Sequence, residues 1–227
     1  MTIKRTLTLA FLLPLLGVTQ AFAALELDAT RYIYDGDSQS ISAMASNGSN
    51  KEFGAQVWVD NIVEDDTRPT FIATPSFFKI KAEGRQVFRM MKVSDHMPTD
   101  KESIYWLNLQ EIPPAQQGSG IAMAVRTKVK LLYRPEGLSE GRDGAEKQLS
   151  VEHLPGEQWL VNNTPYIFTI GTVRDSKDSA ITLSAEDVDE LKMFEPGDRV
   201  KLPQGVSVSA VDALNDYGNM ETYELDK

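Results

Sequence analysis

Short alternating segments separated by turn residues fill the first half of this chain, and they constrain its fold more than any other feature. No stretch before Pro135 keeps the 3.6-residue period of an amphipathic helix. Runs that favour β-strands recur instead, separated by turns rich in glycine, asparagine, aspartate and proline. We predict seven strands or strand pairs there: Leu25–Tyr34, Ser40–Ala45, Gly54–Ile62, Thr70–Thr74 with Phe77–Ile80, Arg85–Val93, Ile104–Ile112 and Ile121–Tyr133.

This strand spacing is typical of an immunoglobulin-like β-sandwich, which holds seven strands in about 100 residues. Trp58, in the third strand, sits where that fold often buries a tryptophan. Arg134–Gly144 is rich in proline, glycine and charge and marks a domain boundary. Strand signals resume after it, with Ala185–Leu191 as one or two helical turns. The second set of predicted strands is Leu149–Val151, Gln158–Val161, Tyr166–Val173, Ala180–Leu183, Val200–Leu202 and Val206–Leu214. We therefore expect an all-β chain of two sandwich domains, over 24–138 and 145–227.

The N-terminus has the features of a secretory signal peptide. Lys4 and Arg5 precede a short apolar run, and Ala21–Ala23 forms an A-x-A cleavage pattern. The alternative is a buried N-terminal helix. We predict that residues 1–23 are removed and that the mature chain, starting at Ala24, is exported without a membrane anchor.

Charge and cysteine content limit the classes of partner. Removal of Lys4 and Arg5 from the 23 basic residues leaves 21 against 33 acidic ones, a net charge of −12. Such a chain is a poor general binder of nucleic acid or anionic lipid. It contains no cysteine, so core packing alone must hold an exported fold together.

Residue constellations for catalysis are missing from the sequence. His96 and His153 lie far apart without metal-ligand spacing around them, and we interpret both as exposed loop histidines. The acidic run Glu64–Asp66 lacks the spacing of a calcium loop. No glycine-rich phosphate loop or nucleophile elbow is present. The prediction is therefore no catalytic residue, no metal site, no cofactor and no enzyme activity.

One segment, Ser119–Arg134, has a long apolar row on alternate residues. Alternate residues of a strand face opposite sides, so one side is apolar while the other becomes basic after Ala122 and Ala124. Either this row faces the core of its own domain, or part of it completes the sheet of a partner. The row consists of Ile121, Met123, Val125, Val129, Leu131 and Tyr133.

Two sets of charged residues are candidates for an interdomain cleft. Arg31 and Lys130 together would bind a carboxylate strongly, and the alternative is two solvated surface cations. An ion network is the second candidate, with three independent surface charges as its alternative. Its members are Glu102, Arg134 and Asp216.

Eight segments of the chain resemble a known family. They are Thr30–Gly36, Ala55–Val59, Ile72–Pro75, Asp100–Ser103, Trp106–Pro114, Thr127–Pro135, Asn163–Tyr166 and Asn215–Gly218. The resemblance is to the PapD-like periplasmic chaperones of pilus assembly, and it spans nearly all of the mature chain. It implies two immunoglobulin-like domains in a boomerang with a subunit-binding cleft between them. The short loop before the last strand of the first domain resembles the branch that serves rod-type pili.

The resemblance also implies residue roles. Arg31 and Lys130 fall on the two cations that hold the C-terminal carboxylate of a pilus subunit. Ile121, Met123 and Val125 fall on the donor residues that fill the groove of a subunit lacking its last strand. Glu102, Arg134 and Asp216 fall on an interdomain salt-bridge set, and Thr74-Pro75 falls on a cis proline. Because Lys130 and Ile121 have opposite parity, we expect a twist or bulge between them.

Donor-strand complementation of fimbrial subunits, followed by their delivery to an outer-membrane usher, is thus the expected function. The expected location is the periplasm, and the free protein has an exposed strand through which it could self-associate. One alternative is an exported structural or adhesive pilus component. Another, a secreted hydrolase on a β-sandwich, has no supporting constellation. The sequence does not identify the subunit or the usher.

Overall fold

The computed structural model describes residues 23–62, 68–115 and 123–226. These residues form two groups of mostly antiparallel sheets, with one short α-helix and two 3₁₀ turns, Ser139–Gly141 and Ala145–Gln148. The strands of the first group are β1 (Leu25–Leu27), β2 (Arg31–Asp35), β3 (Ile41–Asn47), β4 (Phe53–Asn61), β5 (Phe71–Thr74), β6 (Phe77–Ile80), β7 (Arg85–Lys92), β8 (Ser103–Ile112) and β9 (Arg126–Arg134). Those of the second are β10 (Ser150–Leu154), β11 (Glu157–Val161), β12 (Ile170–Asp175), β13 (Arg199–Leu202), β14 (Val208–Leu214) and β15 (Met220–Glu224), with helix α1 (Ala185–Leu191) before β13.

The first domain is a sandwich of a four-stranded sheet, β1-β3-β7-β5, and a five-stranded sheet, β2-β9-β8-β4-β6. The single strand expected over Leu25–Tyr34 is wrong, because the chain changes sheets at Asp28. The carboxylate of Asp28 accepts hydrogen bonds from the Tyr32 hydroxyl and the Met44 N–H at that point. The break lets β1 pair with β3 while β2 runs parallel to β9 on the other sheet.

Alternation along the strands builds the first core. Ala55 and Val57 on β4 and Leu107 and Leu109 on β8 are fully buried between the sheets. Phe71 is central, since its ring lies 5.0 Å from Tyr34 and 4.9 Å from Tyr105 in edge-on contacts. Trp58 does not belong to this core, although its position in the third predicted strand of an immunoglobulin-like sandwich favoured a buried tryptophan. It lies on the opposite face of β4 and is half-exposed.

The second domain has two three-stranded sheets, β10-β11-β13 and β12-β14-β15. Leu160, Phe168, Phe194 and Val211 fill the space between them. Helix α1 spans the segment expected to be helical, and the Ser184 hydroxyl caps it by accepting the Asp187 N–H at 3.1 Å. Strand β15 was not predicted, because its outward residues are polar and its pattern is short.

Apolar and polar contacts join the two domains. Ile104 and Leu132 of the first domain bury themselves against Ile167 of the second. The connecting segment Arg134–Gly144 is itself packed: Arg134 and Arg142 are buried, and Ala145, which follows it, belongs to the second core. The Tyr166 hydroxyl donates to the Leu138 carbonyl at 2.7 Å. The Thr74–Pro75 peptide bond is cis. Among the described residues, no helix is long and apolar enough to cross a membrane.

Candidate functional site

The N-terminal half of β9 is a sheet edge. Strand β2 pairs with β9 only from Lys130 to Arg134, whereas β8 continues along it to Arg126. Within the described residues, therefore, no strand covers Arg126–Val129 on the β2 side. The Glu111 N–H donates to the Val125 carbonyl at 2.9 Å, and the alternation of an antiparallel pair then turns the polar groups of Arg126 and Lys128 toward the open side.

The apolar row of β9 extends beyond its own core. Leu131 and Tyr133 are buried in the first domain, and Val129 packs against that core. Val125 and Met123 continue the same parity but are 37% and 75% exposed. Both precede the first residue of the strand, so the start expected at Ile121 is wrong by several residues. Ile121 itself lies outside the described residues.

The twist or bulge expected between the donor residues and Lys130 is not found in the described strand. β9 pairs with β8 in continuous register from Arg126 to Tyr133. The parity difference therefore has a simple meaning. Val125 belongs to the row that faces the space between the sheets, and Lys130 lies on the outer face of the five-stranded sheet, toward the second domain.

The structure brings Arg31 and Lys130 together. They are direct neighbours in the parallel register of β2 and β9, so their side chains share one face. The Lys130 ammonium donates to the Thr169 hydroxyl at 2.7 Å and to the Lys192 carbonyl. The Arg31 guanidinium is buried, and its Nη1 donates to the Leu214 carbonyl at 3.3 Å.

The charges of these two cations are only partly compensated: Asp216 stabilises the charge of Arg31 through space, without forming an ion pair. Among the described residues, no carboxylate lies within ion-pair distance of either side chain, and the Arg31 Nε is a buried donor without a partner. Burial lowers the pKa of Arg31 from its usual value. Burial, together with the charge of Arg31, lowers the pKa of Lys130 to about 8. An anion that reached both groups would therefore relieve their mutual repulsion.

The acidic and basic residues expected to form an interdomain network lie in one cluster. Arg134 Nε donates to Glu102 at 2.7 Å, and its two Nη groups donate to Asp216 at 2.8 and 3.0 Å. The other oxygen of Glu102 accepts the Ile167 N–H at 2.8 Å. Although burial disfavours its charged form, the bonds and charge of Arg134 lower the pKa of Asp216.

Sequence reasoning missed two members of this network. Arg142 and Glu146 are both buried and form a bidentate pair at 2.8 and 3.0 Å. Arg142 also lies 3.5 Å from Asp216 and faces the ring of Phe168. The signal was an arginine four residues before a glutamate, at the end of the segment predicted to be a domain boundary from its proline, glycine and charge. Burial works against the charge of Arg142, but the bonds to Glu146 raise its pKa above the usual value.

The histidines differ from the expectation of two exposed loop residues. His153 is exposed but lies on strand β10 and not in a loop, and His96 is half-buried, with its Nε2 3.1 Å from the Thr70 hydroxyl and its Nδ1 beside the Ser94 hydroxyl. In the part of the chain that the structure describes, no group of three potential metal-ligating side chains occurs. The acidic run Glu64–Asp66 lies outside that part.

Comparisons with known proteins agree with this architecture. Residues 24–139 match the family described as "Pili and flagellar-assembly chaperone, PapD N-terminal domain". Chaperone protein FaeE of Escherichia coli is 52% identical over 209 residues, 91% of this chain and 80% of that protein. Chaperone protein FanE of Escherichia coli is 38% identical over 212 residues, 91% of this chain and 92% of that protein. The crystal structure of the periplasmic chaperone SfaE superposes with a TM-score of 0.70 at 26% identity, covering 88% of this chain and 97% of that one. The chain therefore belongs to the PapD-like family of pilus and fimbrial assembly chaperones, which are built from two immunoglobulin-like β-domains.

Proposed function

We propose that this protein captures fimbrial subunits that lack their last strand, lending them the open edge of β9 until assembly. The observation that carries this proposal is the coincidence of an unpaired strand edge with exposed apolar side chains at Met123 and Val125. An incomplete sandwich exposes an apolar groove and two sheet edges, and both invite aggregation. A donated strand supplies backbone partners and side chains together.

The positions of the cations define the direction in which the C-terminal strand of a bound subunit, here called the guest strand, would run. Arg31 and Lys130 lie where the open edge of β9 ends and its pairing with β2 begins. The guest strand would place its C-terminal carboxylate at these cations and pair with Arg126–Val129. In that position it runs parallel to β9. Its backbone then meets the outward polar groups of Arg126 and Lys128.

The donor side chains reach the guest from the opposite face. Met123 and Val125, followed upstream by Ile121, would enter the groove between the sheets of the subunit. Each large side chain contributes about 1.5–3 kcal/mol on full burial, before ordering costs. Anchor and donor residues therefore act on two faces of one strand.

The remaining assignments complete the proposal. Glu102, Arg134 and Asp216 hold the two domains, over 24–138 and 145–227, around the cleft. Binding of this kind needs neither catalysis nor a cofactor. Residues 1–23 would direct export of the chain to the periplasm, the compartment named for its structural relative SfaE, and would be removed in the process. The family resemblance adds an outer-membrane usher as the acceptor of the captured subunit.

A charge placed in the donor row tests the proposal. The probe is subunits obtained by shearing fimbriae from the cells that make this protein and depolymerising them in guanidinium chloride. We expect Val125→Asp and Met123→Asp each to weaken capture by roughly 10- to 100-fold, because a carboxylate replaces an apolar group worth about 1.5–3 kcal/mol in the groove. Capture is measured as the soluble complex that survives dilution from denaturant, separated by gel filtration.

Val87→Asp is the matched control for these variants. Val87 is also a valine exposed on the first domain, but it lies on β7 of the opposite sheet. Its replacement should change capture less than about twofold, as for an ordinary surface position. Equal losses at Val87 and Val125 would overturn the donor assignment.

Gel filtration of the protein without subunit, in the same series, shows whether the free protein associates with itself.

Binding of the carboxylate should depend on pH above 8. The pKa of Lys130 is about 8 in the free protein, and a bound carboxylate raises it, so the complex retains a proton that the free protein has lost. The affinity for a short apolar peptide with a free C-terminus should be constant below pH 8 and fall by up to about tenfold per pH unit above it. Calorimetric titration between pH 7 and roughly pH 9.5 measures this slope.

The same shift affects folding stability with the opposite sign. Between the folded pKa of about 8 and the ordinary value of 10.5, the unfolded chain binds more protons at Lys130, so this group makes the protein more stable as the pH rises.

The Lys130→Arg variant is the control for the pH dependence of peptide binding, since arginine stays charged and should remove that dependence. A wild-type affinity that stays constant up to pH 9.5 would contradict the assignment of Lys130 to the carboxylate.

A further inference from the structure

A single side chain at the start of β9 crosses the neighbouring strand. Arg126 Nε and Nη2 donate to the Asn108 Oδ1 on β8 at 2.9 and 2.6 Å. The same Nη2 reaches Asp60 on β4 at 3.1 Å, and the guanidinium lies 4.8 Å from the ring centre of Trp58. One arginine thus ties the first residue of β9 to two strands of the same sheet.

Asn108 is the centre of this contact. It is completely buried although it belongs to the outer face of the sheet, because Arg126 and its neighbours cover it. Its amide group donates to Asp60 at 3.0 Å and to the Trp106 carbonyl at 3.0 Å. Its carbonyl oxygen accepts both bonds from Arg126, so donors and acceptor are all used. The exposed Asp60–Arg126 ion pair alone would contribute little.

The location of this contact matters because the strand has only one neighbour there. Arg126–Val129 pairs with β8 and has no strand on its other side among the described residues. A strand end held from one side tends to fray, and a frayed end must be ordered again when a guest strand binds. The hydrogen bonds of Arg126 and Asn108 across three strands keep the edge in its paired conformation before the guest strand binds.

We propose that Asn108, acting through Arg126, is a positioning residue that holds the β9 edge and the adjoining Val125 ready for subunit capture. This inference rests on the proposed function for its role in capture. The contact itself is a property of the free protein and can be tested without any subunit. The contact between Arg126 and Asn108 does not include Arg31 or Lys130. Its loss should therefore change the rate of capture more than the affinity for the C-terminal carboxylate.

Hydrogen exchange of the free protein provides the first test. The N–H groups of Thr127 and Val129 point toward β8, as do those of Leu131 and Tyr133 further along the strand. In Arg126→Ala, exchange at Thr127 and Val129 should become about tenfold faster, whereas Leu131 and Tyr133 should not change. A general loss of stability would accelerate all four amides, so this local pattern separates positioning from destabilisation.

Two further variants complete the design. Asn108→Ala should give the same local pattern as Arg126→Ala, and the double variant should be no worse than either, because both remove one contact. Arg199→Ala is the control: it removes an exposed arginine on β13 of the second domain that lies over the ring of Trp159, and it should leave exchange within about twofold. If Asn108→Ala unfolds the protein, the exposed Arg126→Ala still decides the question.

The rate of capture of depolymerised subunits by stopped-flow provides the second test. Arg126→Ala should slow capture about tenfold, and Arg199→Ala should not. Unchanged exchange at Thr127 and Val129, or additive effects in the double variant, would overturn the inference. A wild-type protein that captures no subunit refutes the proposed function instead, and leaves the exchange result to stand for the contact alone.

Discussion

Replacement of both Arg31 and Lys130 by alanine is expected to weaken capture of depolymerised fimbrial subunits by roughly 10²- to 10⁴-fold. Charge-assisted hydrogen bonds contribute about 1.5–3 kcal/mol each, and the variant removes at least one to each side chain. Every 1.4 kcal/mol or so corresponds to a tenfold change in affinity. Each single variant should lose about half of this free energy. Calorimetric titration with a short apolar peptide, alongside the capture assay, measures the loss.

A matched control and a chemical control separate anchoring from general charge. Lys128→Ala removes a cation two residues from Lys130 on the same face of β9, and it should change affinity less than about twofold. A peptide with a C-terminal amide should bind the wild type as weakly as the free acid binds the double variant. If the amide and the free acid bind the wild type equally well, the cations do not hold a carboxylate.

Much of the first domain followed from alternation and turns, because each predicted strand has to bury one face. The strand at Gly54–Ile62 is an example: Ala55 and Val57 face inward, and the observed strand covers nearly the same residues. Alternation does not say which sheet a strand joins. The segment Leu25–Tyr34 therefore read as one strand, although the bonds of Asp28 divide it between two sheets.

The site could be located from the sequence only through the family resemblance. Residue type alone favoured two solvated surface cations at Arg31 and Lys130, since nothing local indicates that their strands are neighbours. The parallel pairing of β2 with β9 is a long-range contact, and it decides that the two side chains share a face. The same limit applies to Arg142 and Glu146, whose burial depends on a second domain packed against the linker.

The opposite parity of Lys130 and the donor row predicts a twist or bulge between them, and the described part of the strand contains none. The register of β9 with β8 is continuous from Arg126 to Tyr133. Under the proposed function one strand would serve both roles without a bulge, the anchor on the face toward the second domain and the donor row on the face between the sheets.

Replacement of Arg134 by alanine is expected to lower the free energy of unfolding by about 3–5 kcal/mol, the largest stability effect we foresee. Its side chain and that of Glu102 are almost inaccessible to water, and removal of one leaves the other as a buried charge without its partner. Asp216 loses two hydrogen bonds in the same variant, and these are bonds between the domains. Urea unfolding, followed by tryptophan fluorescence and by circular dichroism, measures the effect.

In this variant, the unfolding transition followed by tryptophan fluorescence should no longer coincide with the one followed by circular dichroism. Arg134 lies on the last strand of the first domain, and Asp216 follows β14 of the second, so their bonds couple the two cores during unfolding. The control is Lys201→Ala, which removes an exposed pair with Glu157 and should cost less than about 1 kcal/mol. Glu102→Gln keeps an acceptor for the Ile167 N–H and should lose less stability than Arg134→Ala. A loss in Arg134→Ala no greater than in Lys201→Ala would mean that the buried network does not hold the domains together, and that the apolar contact of Ile104, Leu132 and Ile167 and the other bonds between the domains do so.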